Sequence, residues 1–274
     1  MLRRTLLAVT IAVVVVASAP AALASFPGSN GRIAFTNAKG QIATSLPDGT
    51  KRKTLTHLPG GSAEAPMFSA SGAWIVFDRY DGGRKGLYVV KADGTHLHRV
   101  VHRPGSEWGP SWSPDGQWIT YAADGGGSAI MAARRDGTHI HRLGTHTGEY
   151  PRYSPDGKRI VYGDTDGSIH IMRSNGTHNH AITGALGDYP DWSPNGKWIG
   201  FSNGGDVWFV HPDGSNLHQV TSVGSASYSP VFAPNGKRIA YTNGSSVWTS
   251  KLDGTGVRTG PTSLGGCCIG WQPR

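Results

Sequence analysis

The sequence predicts an all-β protein: a six-bladed β-propeller of four-stranded antiparallel blades, closed by pairing of the C-terminal strand with the N-terminal blade. Three observations predict it. A turn-and-strand motif recurs six times, with its turn glycine at positions 31, 72, 116, 157, 196 and 236 and spacings of 41, 44, 41, 39 and 40 residues. A second turn follows each copy at a matching offset: Asp48-Gly49, Asp93-Gly94, Asp136-Gly137, Asn175-Gly176, Asp213-Gly214 and Asp253-Gly254. The last residues, "GCCIGWQPR", place Trp271 and Pro273 where Trp112 and Pro114 stand in the repeat, and the turn and second strand that should follow are found at the other end as "SNGRIAF" from Ser29. Such a period marks a repeat architecture. The 40 glycines and 37% apolar residues suit many short strands and exclude long helices.

The chain opens with Arg3 and Arg4, an apolar run from Leu6 to Ala17, and small residues ending in Ala22-Leu23-Ala24. That order is the charge, core and A-x-A site of a secretory signal peptide, so residues 1–24 are expected to be removed and residues 25–274 to form the propeller. An uncleaved anchor is the alternative. The apolar core, however, is shorter than the roughly 20 residues that span a bilayer. The reading is therefore a secreted or periplasmic protein of the cell envelope without stable membrane insertion. Losing two arginines would lower the net charge from +8 to +6. The basic side chains are scattered (residues 51–53, Arg84-Lys85, Arg134-Arg135, Lys158-Arg159, Lys237-Arg238) rather than gathered on one face with aromatics, so no nucleic-acid partner is expected.

Each repeat reads as four strands. The first ends in an aromatic residue (Phe68, Trp112, Tyr153, Trp192, Phe232). Ser-Pro-Asp-Gly then makes the turn, Pro presetting φ at the first central position and Gly taking the left-handed position that other residues resist. The second strand is apolar on both faces, with Ile119 and Tyr121, or Ile160 and Tyr162, on one side and Trp118 or Val161 on the other. Such a strand belongs to a sheet sandwiched between neighbours. The third strand ("GLYVV", "AIMAA", "SIHIM", "DVWFV") leads to the Asp-Gly-Thr turn, and the fourth is short and polar, as in "HIHRL". Pairing of residues 269–273 with residues 32–36 would remove the exposed edges of an open ring.

"WSPDGQWI" and "WSPNGKWI", each followed by a turn of the Asp-Gly-Thr type, resemble the WD-like repeat of the TolB-type propeller family over about residues 29–273. The resemblance implies the propeller fold and leaves function open, since the family includes binding modules, propellers attached to peptidases and a few glycan lyases. True TolB carries an α/β domain before its propeller, and here the first blade begins a few residues after the signal peptide. No G-x-S-x-G is present for a hydrolase reading.

Both turns fall on one face of the disc, leaving the other face to the crossovers between blades and the loops between second and third strands. The crossovers supply Glu64, Glu107, Glu149 and Asp188 before the innermost strand, with Trp108, Tyr150, Tyr189 and Tyr228 beside them; His57, His102 and His146 lie in the same connections. Acids, imidazoles and aromatics converging on a channel mouth suit a protein, peptide or glycan ligand. The alternative is that the acids cap loop amides and the aromatics plug the channel. The pairs His96/His98, His139/His141 and His178/His180, with His218 alone in the next copy, would share a strand face and could chelate a transition metal; copied, solvated residues on an outer strand are the plainer reading. Cys267 and Cys268 are the only cysteines. In an oxidising compartment they would form a strained vicinal disulfide, with a reduced pair or an intermolecular link as alternatives. The leading functional expectation is a monomeric, non-catalytic binding protein without a cofactor. The alternative is a metal-assisted polysaccharide lyase or hydrolase using the His and carboxylate loops, for which spacing assembles no nucleophile, base and orienting group.

Overall fold

A computed structural model of the chain describes residues 26–124, 127–222 and 227–274. The expected signal peptide, residues 1–24, lies outside the described residues. Six four-stranded sheets form the ring, each an antiparallel meander from the innermost to the outermost strand. The innermost strands of blades 2 to 6 are Ser62–Phe68, Glu107–Trp112, Glu149–Tyr153, Asp188–Trp192 and Ser227–Phe232. Blade 1 draws its innermost strand, Leu264–Pro273, from the C-terminus, paired with Asn30–Asn37 at Ile33↔Trp271, Ala34↔Gly270 and Phe35↔Ile269. Closure is therefore as expected, and Arg274 N donates to Ser29 O at 3.0 Å beyond the ladder.

Packing follows from the two-faced strands. Ile119, Tyr121, Ile160 and Tyr162 are fully buried, and the inner-strand aromatics Phe68, Trp112, Trp192 and Phe232 are buried with them between blades. Two of these aromatics also bond across the blade boundary: Trp112 Nε1 donates to Met67 O at 3.1 Å and Trp192 Nε1 to Arg152 O at 3.2 Å. An indole supplies apolar area and one donor, so each tryptophan both fills the gap and sets the height of its neighbour.

In the first turn of blade 3, Gly116 N donates to Ser113 O at 2.9 Å, Ser113 Oγ donates to Asp115 Oδ1, and Gly116 has φ 67°. In the second turn Gly137 N donates to Arg134 O, and Asp136 Oδ1 accepts from both the amide and the hydroxyl of Thr138. The next residue is again left-handed in every blade: Lys51, His96, His139, His178, Asn216 and Gly256, with φ from 50° to 61°. The second histidine of each pair closes this corner. His98 Nδ1 lies 2.8 Å from His96 O, His141 Nδ1 2.9 Å from His139 O, and His180 Nδ1 3.2 Å from His178 O. A carbonyl can only accept, so Nδ1 carries the proton in each. Trp74 and Trp118 meet these rings in T-shaped contacts, with Trp118 and His141 centroids 5.5 Å apart. The repeated histidines, though exposed, thus form the corner of the turn.

Two predictions test this architecture. Deleting residues 266–274 removes most of the innermost strand of blade 1 and uncovers Asn30–Asn37; the truncated protein is expected to aggregate or to melt well below the full chain, and a monomeric truncation with unchanged melting would refute the closure. Replacing left-handed His139 by Val should cost about 1 kcal/mol or more, because a branched Cβ resists positive φ, whereas Asn should cost little. Paired thermal melts of the two variants decide between strain and loss of the imidazole.

Candidate functional site: the crossover-side channel mouth

A β-bulge interrupts the innermost strand of blades 2 to 6. The ladder runs Glu64↔Asp78 then Met67↔Val76, Trp108↔Ala122 then Ser111↔Thr120, Glu149↔Gly163 then Arg152↔Val161, Asp188↔Ser202 then Asp191↔Gly200, and Tyr228↔Thr242 then Val231↔Ala240. Two residues thereby oppose one, and the second of the two is always proline: Pro66, Pro110, Pro151, Pro190 or Pro230. Proline has no N–H to lose from a ladder. The residue before it is left-handed in all five blades: Ala65, Gly109, Tyr150, Tyr189 and Ser229. A bulge of this kind re-aims side chains at a strand end.

The re-aimed tyrosines form an arc across blades. Tyr150 and Tyr189 have ring centroids 4.2 Å apart with their hydroxyls at 3.4 Å, and Tyr189 and Tyr228 are 6.5 Å apart at a steep angle. Gly109 makes room for the first ring, since a Cβ there would stand 2.9 Å from Tyr150 Cδ1. Burial pushes the Tyr150 hydroxyl pKa up, reinforced by Tyr189 and nearby acids. Tyr228, 43% exposed, continues the arc into solvent. Blade 2 contributes charge: Lys85 Nζ lies 2.7 Å from Glu64 Oε2 and 3.0 Å from buried Asp78 Oδ2. Burial raises the Asp78 pKa against the pull of Lys85. For Lys85 burial acts downward, but Asp78 and Glu64 outweigh it and its pKa is raised. Glu149 accepts from Ser128 Oγ at 3.1 Å, and Asp188 is exposed.

Below the mouth the channel is filled. Arg152, 6% exposed, donates from Nη1 to the carbonyls of Gly109, Pro110 and Pro151, tying the bulges of blades 3 and 4 together. Asp191 accepts from Phe232 N at 3.2 Å. At the turn-side end Phe26 packs with Met67, Phe68, Trp112 and Tyr153 around a remnant cavity of about 20 Å³.

Counting back four residues from each innermost aromatic gives Glu64, Trp108, Glu149, Asp188, Tyr228 and Cys267 as equivalent positions. Glu107, grouped by the sequence with Glu149 and Asp188, stands one residue earlier and is buried. Cys268 occupies the position of the left-handed residues; it is buried and disulfide-bonded. The side chain of Cys267, its expected partner, lies outside the described residues. His57 and His102 are exposed and His146 is half-buried on the crossovers. Among the described residues, the metal-ligating side chains that do come together are Asp164, Asp166 and His170, with ligand atoms within 4.8 Å of one another on the loop and third strand of blade 4. That trio was not anticipated, although "DTDGSIH" carries it. The bulge was missed too, and its signal is the proline two residues before the inner aromatic of blades 2 to 6.

The family model of the TolB beta propeller domain matches residues 25–210. The chain belongs to this family. Among curated TolB relatives, the Tol-Pal system protein TolB of Francisella tularensis subsp. mediasiatica is 29% identical over 75 residues, and that match spans 27% of this chain but only 17% of the relative's length. TolB of Nitratidesulfovibrio vulgaris is 33% identical over 49 residues, 18% of this chain and 11% of the relative. Among solved structures, TolB from Acinetobacter baumannii superposes with a TM-score of 0.76 at 19% identity, covering 89% of this chain and 67% of that one. A chain of a nidogen/laminin complex superposes at 0.72 with 15% identity, covering 87% and 97%. At these identities the structural likenesses establish the fold of this TolB-type propeller and nothing finer. No helix among the described residues is long and apolar enough to cross a membrane.

Glu107 of this TolB-type propeller yields a pH prediction. It is 2% exposed, and burial pushes its pKa up to about 7 against the opposing charges of Arg99, 3.5 Å away, and Arg103. The folded protein therefore holds a proton that the unfolded chain releases near its ordinary value of 4.5. Stability contributed by that proton is complete at low pH and is lost as the pH rises from about 4.5 through 7. Glu107→Gln should flatten this segment of the melting-versus-pH curve, the two proteins diverging by about 3 kcal/mol between pH 4.5 and 8. Parallel curves would show that Glu107 does not titrate there.

Proposed function

We propose that this chain is an exported, non-catalytic propeller of the cell envelope that binds a protein or peptide segment at the crossover-side mouth. The observation that carries the reading is the Tyr150–Tyr189–Tyr228 arc, which runs from a half-buried pair of tilted rings to the exposed ring of Tyr228 on the crossover side of a channel whose turn-side end is filled by Phe26. Aromatic rings supply contact area at low entropic cost, and charged groups around them fix orientation. Glu64, Glu149 and Asp188 outnumber Lys85 at this rim, so the segment it suits is cationic or aromatic. The signal-like residues 1–24 support export. The similarity to Tol-Pal system proteins supports a binding role in the envelope. A metal-assisted enzyme is less well supported, because His57, His102 and His146 are not drawn together with the rim acids.

The test begins with capture of a partner from an envelope fraction by the tagged protein, followed by titration of the identified partner. Tyr228→Ala and the double change Glu149→Ala with Asp188→Ala should leave melting within about 2 °C of wild type, since these rim residues hold little of the core. Each should weaken binding at least tenfold, about 1.4 kcal/mol. The turn-face control, His139→Asn with His141→Asn, should bind as wild type does. Binding retained by the rim variants and lost by the control would move the working surface to the turn face.

A further inference from the structure

Blade 2 holds a second concentration of charge, away from the tyrosine arc. Its second and third strands, Trp74–Asp81 and Arg84–Lys91, its outer strand His98–Arg99 and the crossover that follows surround a cavity of about 150 Å³. Five cations line it: Arg79, Arg84, Lys85, Arg99 and Arg103. The acid on its lining, Asp81, has a largely exposed side chain and stands 3.9 Å from Arg79 Nε.

Two of these guanidinium groups are incompletely used. Arg79 is 2% exposed; its Nη2 donates to Pro59 O at 2.5 Å and Gly60 O at 2.6 Å, but its Nη1 is buried without an acceptor. Arg99 lies over Gly86, where a Cβ would come within 2.9 Å of its Nε, and that Nε is likewise buried without an acceptor. Its Nη2 reaches Glu107 Oε2 at a loose 3.5 Å. A guanidinium only donates, so what these atoms lack is an acceptor oxygen. Buried donors are almost always paired. Like charges gathered in one pocket disfavour one another unless an anion sits among them. Arginine forks match the oxygens of a tetrahedral oxyanion, and the cavity is of a size for one such group.

We propose that this pocket of blade 2 is an oxyanion site that takes a phosphate group, either as the free ion or as a monoester on a larger molecule. Arg79 forms its floor, held by the carbonyls of Pro59 and Gly60, and Arg99 forms its wall. Arg84 and Arg103, both exposed, close over the ligand from the hairpin and the crossover. Lys85 stands between this site and the channel mouth, paired toward the mouth with Glu64 and Asp78. The site goes beyond the proposed mouth function and does not depend on it.

The probe is inorganic phosphate, titrated calorimetrically into the full chain and followed by thermal melting against sodium chloride of equal ionic strength. Saturable binding is expected, with melting raised by about 5–10 °C at a hundredfold excess over Kd. Arg84→Gln and Arg103→Gln change exposed side chains, and each should weaken phosphate at least tenfold, whereas Lys237→Gln on the turn face should not. A second titration with glycerol 1-phosphate separates the sources: equal binding assigns a monoester, and selective loss assigns the free ion. Absence of phosphate binding beyond the chloride control, or equal binding by wild type and an Arg84→Gln/Arg103→Gln double variant, would overturn the proposal. Because neither readout uses the mouth partner, failure here leaves the mouth reading standing, and the converse also holds.

Discussion

Everything in this molecule hangs on the ladder between Leu264–Pro273 and Asn30–Asn37. Each blade has one edge strand at the axis and one at the rim, and each face of a blade needs a neighbour to cover it. A row of such sheets has two uncovered ends, and only closing the ring removes them. The two chain ends do this by building one sheet together, so the last contact in the sequence is also the one that lets the other five blades keep their neighbours. Gly270 within that ladder leaves room for the backbone at Pro66 and Met67 of blade 2 to come close, which seats the closing strand against the next blade.

Closure brings the innermost strands together at the axis, and the bulge decides what they present there. With a regular ladder, alternation would carry each strand straight to its crossover. The left-handed residue and proline shift the register by one before the mouth, opposite the second-strand aromatics Phe77, Tyr121, Tyr162, Phe201 and Tyr241. In blades 4 and 5 the left-handed residue is tyrosine, in blade 3 glycine, and in blades 2 and 6 alanine and serine. The ring is thus structurally repetitive and chemically lopsided: tyrosines crowd one arc, and the Glu64–Lys85–Asp78 ion pairs hold another. Arg152 stabilises the seam by satisfying carbonyls that the bulges leave turned toward the channel. Its cost is visible in a guanidinium pKa that burial lowers and Asp191 partly restores.

The turn face follows a different logic. Its side chains are copied because the corner needs them: Asp136 pins Thr138, His139 adopts the left-handed conformation, and His141 returns a hydrogen bond to the His139 carbonyl. Asn216 and Gly256 take the same corner in blades 5 and 6, which is what a conformational requirement tolerates and a ligand set would not. Repetition here reports geometry. The crossover face, where equivalent positions carry Glu64, Trp108, Glu149, Asp188 and Tyr228, is where the repeat has been released from it.

The amino-acid sequence determined the number of blades, the two turns, the buried aromatics and the closing strand, because each rests on local periodicity or on a turn whose backbone demands a residue type. It also pointed to Glu64, Glu149, Tyr150, Asp188, Tyr189 and Tyr228, which the structure places at the bulged crossover-side ends of their innermost strands. It did not separate Glu107 from that group, although Glu107 stands five residues before its aromatic where Glu64, Glu149 and Asp188 stand four, and strand alternation turns that one-residue offset toward the interior. Nor did it show the arginine pocket. Arg84 and Lys85 read as scattered surface charge, and they meet Arg79, Arg99 and Arg103 only because two hairpins and a crossover fold residues 79–103 onto one cavity. Short-range pattern specifies strands and corners, whereas the gathering of charge depends on which strand ends and crossover a folded blade places side by side.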